Sequence, residues 1–302
     1  MTEYVLETKD LTKKYSKKAV VDNVNIKIRK GDIYGFIGKN GAGKTTTIRM
    51  ISGLANPTGG EITLFGSNDL ADGRTKIGTI IENPAIYPYM SARQNIEVQR
   101  ILKGVDDKSV TDQILDIVGL SDAGNKKAKK FSLGMKHRLA IAIALVGNPE
   151  FLILDEPING LDPIGIKDIR NLILKLNQEV GITVLISSHI LGELMKIATC
   201  YGIIKDGKLV KEITAEEMRE IAKPQAEFVV NDPNKAQAIF KELFRINDMQ
   251  VQGNWICINE GVEKCDEIKK CLEKNDIVIT SMRKINDDYE EYLIKLMEEG
   301  EE

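Results

Sequence analysis

A short glycine-rich segment contains residue types that suit phosphate binding. It reads G-K-N-G-A-G-K-T over residues 38–45, after the apolar run 33–37 and before a helical stretch. Glycines let successive backbone N–H groups point into one concavity, and the helix start adds the positive end of its dipole. Lys44 then supplies a point charge for phosphate oxygens, and the Thr45 hydroxyl is placed for Mg²⁺. The residues expected to contact the phosphates are Gly38, Asn40, Gly41, Ala42, Gly43, Lys44, Thr45 and Thr46.

Two carboxylates follow a second apolar run. Residues 151–154 read F-L-I-L, which predicts a buried strand, and Asp155 and Glu156 come directly after it. Hydrolysis of a metal-bound nucleoside triphosphate needs a carboxylate near the metal and a base near the attacking water. Asp155, together with Thr45, suits the first role, and Glu156 suits the second. The two segments together predict a site for Mg²⁺ and a nucleoside triphosphate.

Four further residues have both a chemical and a structural interpretation. Tyr15 could stack on a nucleotide base or simply cover a sheet. Glu82 follows a predicted strand and could point toward the metal, although a solvated loop acid is the commoner outcome. Ser132 opens a helical stretch, either as an N-cap or as part of a second anion-binding helix start. His189 ends a buried strand and could contact the γ-phosphate, whereas an isolated histidine is more often structural.

Composition limits the class of protein. The 302 residues include 42 Lys and Arg against 45 Asp and Glu, a net charge of -3, so no basic field favours nucleic acid. The four cysteines show no metal-binding or disulfide spacing, which favours reduced thiols in a cytoplasmic protein. No signal peptide is visible, and no apolar run approaches the length of a membrane span.

Periodicity and turn residues predict the elements that position these side chains. Strands are expected over residues 5–8 and 19–28, and helices over 91–119 and 139–146. The last part of the chain, residues 216–302, shows the order strand, helix, strand, strand, helix, strand. This order predicts a small ferredoxin-like α+β domain. No cluster of residues in it suggests chemistry.

The ordered set of motifs resembles the ATP-binding subunits of ABC transporters. G-K-N-G-A-G-K-T-T, F-S-L-G-M-K, F-L-I-L-D-E-P, N-G-L-D-P and S-S-H correspond to the Walker A, signature, Walker B, D-loop and H-loop stretches. The resemblance covers roughly residues 2–215. It implies an α/β P-loop NTPase domain over residues 1–215, with a RecA-like core, an antiparallel β subdomain and an α-helical subdomain near residues 88–148. The C-terminal domain would then be an accessory or regulatory unit.

The resemblance also implies roles for individual residues. Tyr15 would stack on adenine, His189 would be the switch histidine, and Asp162 would belong to the D-loop that lines the nucleotide site. Ser132 and Gly134 would contact the nucleotide of a second copy, which implies a homodimer when ATP and Mg²⁺ are bound. A separately encoded transmembrane permease would hold the dimer at the inner face of the membrane.

Two departures from the common pattern narrow the resemblance. The signature reads F-S-L-G-M instead of L-S-G-G-Q, and Glu82 stands where most members have glutamine. Both features resemble the branch that protects Gram-positive bacteria from lantibiotics and bacitracin-type peptides, in which the permease binds the peptide. Glu82 would then be a catalytic residue and a conditional metal ligand. The alternatives are another multidrug or sodium exporter, a permease-independent ABC protein, and an ATPase subordinate to a C-terminal sensor.

Overall fold

The computed structural model describes residues 3–82, 85–221, 225–285, 292–294 and 296. The chain forms two compact units that divide after Ala215. The first unit comprises Met1–Ala215 with Leu296–Glu302, and the second comprises Glu216–Lys295. Each unit contains a hydrophobic core of its own.

An antiparallel sheet begins the first unit. Its strands are β1 (Tyr4–Tyr15), β2 (Lys18–Val24), β3 (Lys27–Arg29) and β5 (Gly59–Leu64), and β1 pairs with each of the other three. The single strand predicted over residues 19–28 is wrong, because the chain breaks between β2 and β3. The Thr8 side chain causes the break: its hydroxyl donates to the Val24 carbonyl oxygen and accepts from the Ile26 amide. A side chain therefore takes the place of a partner strand at this point.

The central sheet of the first unit carries the glycine loop and the Asp155–Glu156 pair. Its strands are β4 (Ile33–Ile37), β6 (Ile77–Ile80), β7 (Phe151–Asp155), β8 (Thr183–Ser188), β9 (Cys200–Lys205) and β10 (Lys208–Thr214). Their order is β10-β9-β4-β8-β7-β6, and all neighbours are parallel except the β9–β10 hairpin. Every residue of β4 and β7 is buried, as expected of parallel strands that are covered on both faces.

Seven helices are described in the first unit: α1 (Lys44–Ile51), α2 (Leu70–Thr75), α3 (Ala92–Leu102), α4 (Val110–Ile117), α5 (Leu133–Leu145), α6 (Pro163–Gln178) and α7 (Leu191–Leu194). The helix predicted over residues 91–119 is two helices, α3 and α4. Gly104 has a φ of 66°, and the Arg100 guanidinium donates to the Val105 carbonyl oxygen, so the chain turns there. A capping box between Ser91 and Gln94 starts α3.

The second unit is an antiparallel sheet with helices. After α8 (Ala215–Ile221), its elements are β11 (Gln225–Val230), α9 (Pro233–Phe244), β12 (Met249–Gln252), β13 (Trp255–Ile258), α10 (Cys265–Lys274) and β14 (Ile279–Ile285). The strand order is β12-β13-β11-β14, with every pair antiparallel. Phe228 of β11 and Phe240 of α9 are fully buried, with ring centroids 5.4 Å apart. The apolar side of the sheet thus packs on the helices.

The described helices are short compared with a bilayer. The longest of them, α6, has 16 residues. At about 1.5 Å per residue it spans less than the roughly 30 Å of a hydrocarbon core. In the parts of the chain that the structure describes, no helix combines the length and the apolar character of a membrane span.

Candidate functional site

The glycine loop joins the end of β4 to the start of α1. Gly38 is required sterically, because a Cβ there would lie 2.5 Å from the Ile204 carbonyl oxygen. Gly43 is the N-cap of α1 and has a φ of 112°, a conformation that side chains other than glycine rarely adopt. The loop therefore places the backbone N–H groups at the N-terminus of α1 where an anion is favoured.

The turn of the β9–β10 hairpin holds this loop in place. The Gly207 amide donates to the Ala42 carbonyl oxygen at 2.9 Å, and the Gly207 carbonyl oxygen accepts from the Asp22 amide at 2.8 Å. A cavity of about 570 Å³ adjoins the loop on this side. Its lining residues are Lys39, Asn40, Gly41, Ala42, Ile204, Lys205 and Asp206. One backbone hydrogen bond thus ties the loop to the hairpin turn, and a second ties that turn to β2.

Lys44 is buried beneath the loop, with only 6% of its side chain exposed. Its Nζ donates to the Gly38 carbonyl oxygen at 2.6 Å and lies 3.6 Å from Glu156 Oε1. One cation thus lies between the phosphate-binding loop and the second acidic residue of the D-E pair. Thr46, two residues along α1, is half-buried.

Asp155 is the buried acid of the pair, with 3% of its surface exposed. Its Oδ2 accepts from the Thr45 hydroxyl at 2.8 Å, as the two predicted metal ligands should lie together. Its Oδ1 accepts from the Ser187 hydroxyl at 2.5 Å. The register of the parallel strands places Asp155 opposite Ser187. Two hydroxyl donors therefore hold this carboxylate in one orientation.

Glu156 has an unusual backbone conformation, with a φ of 51°. Its amide donates to both the carbonyl and the hydroxyl oxygen of Ser187, at 3.1 Å each. On the side chain, Oε2 lies 2.8 Å from His189 Nδ1. Because a carboxylate only accepts, Nδ1 of His189 carries the hydrogen. The second oxygen, Oε1, is buried and has no hydrogen-bond partner.

These residues fit Mg²⁺ with a triphosphate. Among the residues that the structure describes, no three His, Cys, Asp or Glu side chains cluster to hold a metal. Mg²⁺ does not need such a cluster, because it binds through one or two protein oxygens together with substrate phosphates. Thr45 and Asp155 supply those oxygens. Oε1 of Glu156 adds a buried acceptor that accepts no hydrogen bond and lies 3.6 Å from the Lys44 ammonium.

The side chain of Glu82 pairs with a residue of α1 and not with Asp155 or Glu156. Its Oε1 is 2.7 Å from the Arg49 guanidinium, and the two side chains are 57% and 40% exposed. Glu82 also has a positive φ, of 58°. An exposed ion pair therefore holds the Glu82 carboxylate in this structure. Its role as a metal ligand stays a prediction.

The other predicted residues lie at the ends of elements. Tyr15 ends β1 with 51% of its surface exposed, and the Lys13 ammonium lies 5.2 Å from its ring centroid. Ser132 caps α5 by accepting from the Met135 amide at 3.3 Å, which is the structural interpretation of this residue. Asp162 caps α6 in the same way, accepting from the Gly165 amide at 3.0 Å. Gly134, in the first turn of α5, is half-buried.

Three residues with contacts in the site were not predicted. Ser187 orients Asp155, Arg49 pairs with Glu82, and His137 Nδ1 lies 2.5 Å from the Pro157 carbonyl oxygen. Burial lowers the pKa of His137 below its ordinary value, while the carbonyl opposes that shift. Ser187 stands in the S-S-H motif, so its place at a strand end was the available signal. His137 and Arg49 had no such signal, because each contacts a loop that tertiary packing, and not a sequence motif, brings next to it.

Comparison with known proteins shows the family to which the chain belongs. A family model described as ABC transporter matches residues 21–159. The chain is 43% identical to the bacitracin transport ATP-binding protein BcrA of Bacillus licheniformis over 300 residues, covering 98% of each chain. It is also 43% identical to the lantibiotic transport ATP-binding protein SrtF of Streptococcus pyogenes over 208 residues, 69% of this chain and 90% of the relative.

Solved structures show the same fold. One is the dimeric ATP-binding cassette MJ0796 in a post-hydrolysis state, bound to ADP and Pi. It is 28% identical to this chain, with a TM-score of 0.62 over 70% of this chain and 98% of that one. The predicted fold class, with a mixed α/β core, is thus confirmed for the cassette. The chain belongs to the ATP-binding protein family of ABC transporters.

Proposed function

We propose that this chain hydrolyses ATP to power a membrane exporter that removes antimicrobial peptides of the bacitracin or lantibiotic type. One observation carries the proposal: Glu156 lies between His189 and Lys44, beside an Asp155–Thr45 pair. The bacitracin and lantibiotic transport proteins, which match this chain over most of their own lengths, support the substrate class. The peptide itself would bind to the permease and not to this chain.

The geometry gives each residue a part in hydrolysis. Lys44 and the N–H groups at the start of α1 bind and orient the phosphates. Thr45 and Asp155 would hold Mg²⁺, with Glu82 as a further ligand, and the bound ion would supply positive charge that offsets the charge of the phosphates. Glu156 accepts a proton from the attacking water through Oε1, the oxygen with no other hydrogen bond. His189 donates to Oε2 and so keeps Oε1 directed to the water.

A second copy of the chain completes the site in this proposal. Ser132 and Leu133, at the start of α5, are exposed, and so is Gly160 in the loop before Asp162. These segments can meet the nucleotide of a partner copy, as the dimeric form of the related cassette suggests. Tyr15, exposed at the end of β1, would stack on adenine. The dimer would be peripheral on the inner face of the membrane, through its permease, with no part for nucleic acid.

The test combines an enzymatic and a cellular measurement on one variant. Glu156→Gln removes the base but keeps the shape of the side chain and the contact with His189. We expect the purified variant to bind ATP, to lose turnover and to trap a dimer. In cells that express the chain with its permease, protection against bacitracin or a lantibiotic should disappear with this change.

Two results would contradict the proposal. Near-wild-type turnover in Glu156→Gln would remove Glu156 from the role of base. Wild-type turnover without any peptide protection, but with protection against other drugs or against sodium, would select the broader exporter alternative. The chain is 36% identical to the linearmycin resistance ATP-binding protein LnrL of Bacillus subtilis. Linearmycin should therefore be one of the drugs tested.

A further inference from the structure

One face of helix α5 lies against the loop that follows the D-E pair. A Cβ built on Gly160 of that loop would lie 3.5 Å from Leu133 Cδ2. A Cβ built on Gly134 would lie 3.9 Å from Leu161 Cδ2 and from the Cα of Gly165. These distances leave room for a methyl group at either glycine, so the first turn of α5 faces the loop without filling the space between them.

His137 adds one directional contact to this packed face. It stands one turn after Leu133, and residues four apart share a helix face. Its Nδ1 lies 2.5 Å from the Pro157 carbonyl oxygen. A carbonyl oxygen only accepts, so Nδ1 carries the hydrogen and donates. Apolar contacts alone can slide, whereas this hydrogen bond fixes the helix and the loop at one point.

The acceptor is the residue directly after Glu156. The backbone of Glu156 is held on its other side by Ser187, which accepts from the Glu156 amide through two oxygens at 3.1 Å. The segment that carries the base is thus anchored before it by β8 and after it by α5. A shift of α5 along its axis would act on Pro157 first and on Glu156 next.

We propose that His137 is a positioning residue that couples the Ser132 end of α5 to the base Glu156 of the same chain. In the proposed dimer, Ser132 meets the partner's nucleotide, while Glu156 serves the chain's own nucleotide. The hydrogen bond from His137 then transmits occupancy of one site to the base of the other. This inference rests on the proposed function and assigns a regulatory contact that runs within one chain between the two sites.

Two substitutions of nearly equal shape separate a positioning role from a structural one. In His137→Asn, the amide nitrogen takes the place of Nδ1 and can still donate to Pro157. In His137→Leu, a methyl group takes that place and donates nothing. Leucine is also the better helix former, so a purely structural role predicts that the Leu variant is at least as stable as the Asn variant.

The experiment measures ATP turnover, its cooperativity in ATP and the melting temperature for both variants in the full chain. We expect the Leu variant to lose about 2- to 12-fold in kcat, the range of one hydrogen bond, with KM for ATP unchanged. Its Hill coefficient should fall toward one, and its melting temperature should stay close to that of the Asn variant, because the helix propensity of leucine offsets part of the lost hydrogen bond. The Asn variant should retain the kcat and the cooperativity of the wild type.

Several outcomes would overturn the inference. Wild-type kcat and cooperativity in the Leu variant would show that the hydrogen bond transmits nothing. Equal losses in both variants, together with lower melting temperatures, would show that the imidazole only fills space. A wild type without turnover would contradict the proposed function and, with it, this inference.

Discussion

The ion pair between Glu82 and Arg49 sets how easily the Glu82 carboxylate can leave α1 for the metal. The two charged groups lie 2.7 Å apart, but both side chains are largely exposed to solvent. An exposed pair of this kind contributes about 0.2–1 kcal/mol. That range corresponds to about a 1.4- to 5-fold change in the equilibrium between held and released Glu82. If Glu82 is a conditional metal ligand, Arg49 competes with the metal for the Glu82 carboxylate.

Arg49→Gln should therefore tighten metal binding by a small and calculable amount. We expect the apparent dissociation constant for Mn²⁺ or Mg²⁺, measured with saturating ATP, to fall about 1.4- to 5-fold. A Glu156→Gln background keeps the nucleotide intact during the titration. The difference should shrink in 1 M salt, where the screening length is about 3 Å.

The control is the same change in a chain that already carries Glu82→Gln. Loss of the Arg49 charge also alters the field around the phosphates, and that effect should be equal in both backgrounds. Only the difference between the backgrounds reports the competition. The reasoning is wrong if Arg49→Gln acts equally in both, or if metal binding tightens by much more than an exposed pair allows.

Contacts in the site lead to two further predictions. Lys44→Ala chains and Ser132→Arg chains should each be inactive alone. Mixing them should restore ATPase activity, because each mixed dimer contains one intact composite site. No recovery at any mixing ratio would count against shared sites. Ser187→Ala removes the 2.5 Å donor to buried Asp155 and should lower the free energy of unfolding by about 1.5–3 kcal/mol in urea titrations. Ser188→Ala, which removes only an acceptor for the Ile190 amide, should cost less, and equal losses would contradict the special role of Ser187.

The sequence was informative where chemistry and local structure coincide in a short segment. The glycine loop could be predicted because its turn, its helix start and its lysine are adjacent in the chain. Asp155 and Glu156 could be predicted because apolar residues and acids meet at a strand end. Thr45 and Asp155 are 110 positions apart, yet both were assigned to the metal from the chemistry that each could supply, and they lie 2.8 Å apart.

The residues that were missed meet their partners across elements. Ser187 reaches Asp155 through the register of two parallel strands, and the sequence alone does not specify that register. His137 reaches Pro157 because α5 lies on the loop after β7, which depends on packing. The break at Gly104 was missed because the apolar stripe continues on both sides of it. The sequence pattern therefore predicted most elements. The contacts between elements depend on tertiary packing, which the pattern does not specify.

The backbone conformation of Glu156, the proposed base, lowers the stability of the fold. Its φ of 51° lies in the left-handed region, which costs about 1–2 kcal/mol for a residue other than glycine. Glycine at this position would relieve that strain, but it would leave buried Lys44 without the carboxylate that lies 3.6 Å from its Nζ. Selection of variants of this chain for heat resistance should therefore be combined with selection for ATP turnover, because relief of the strain also removes the proposed base.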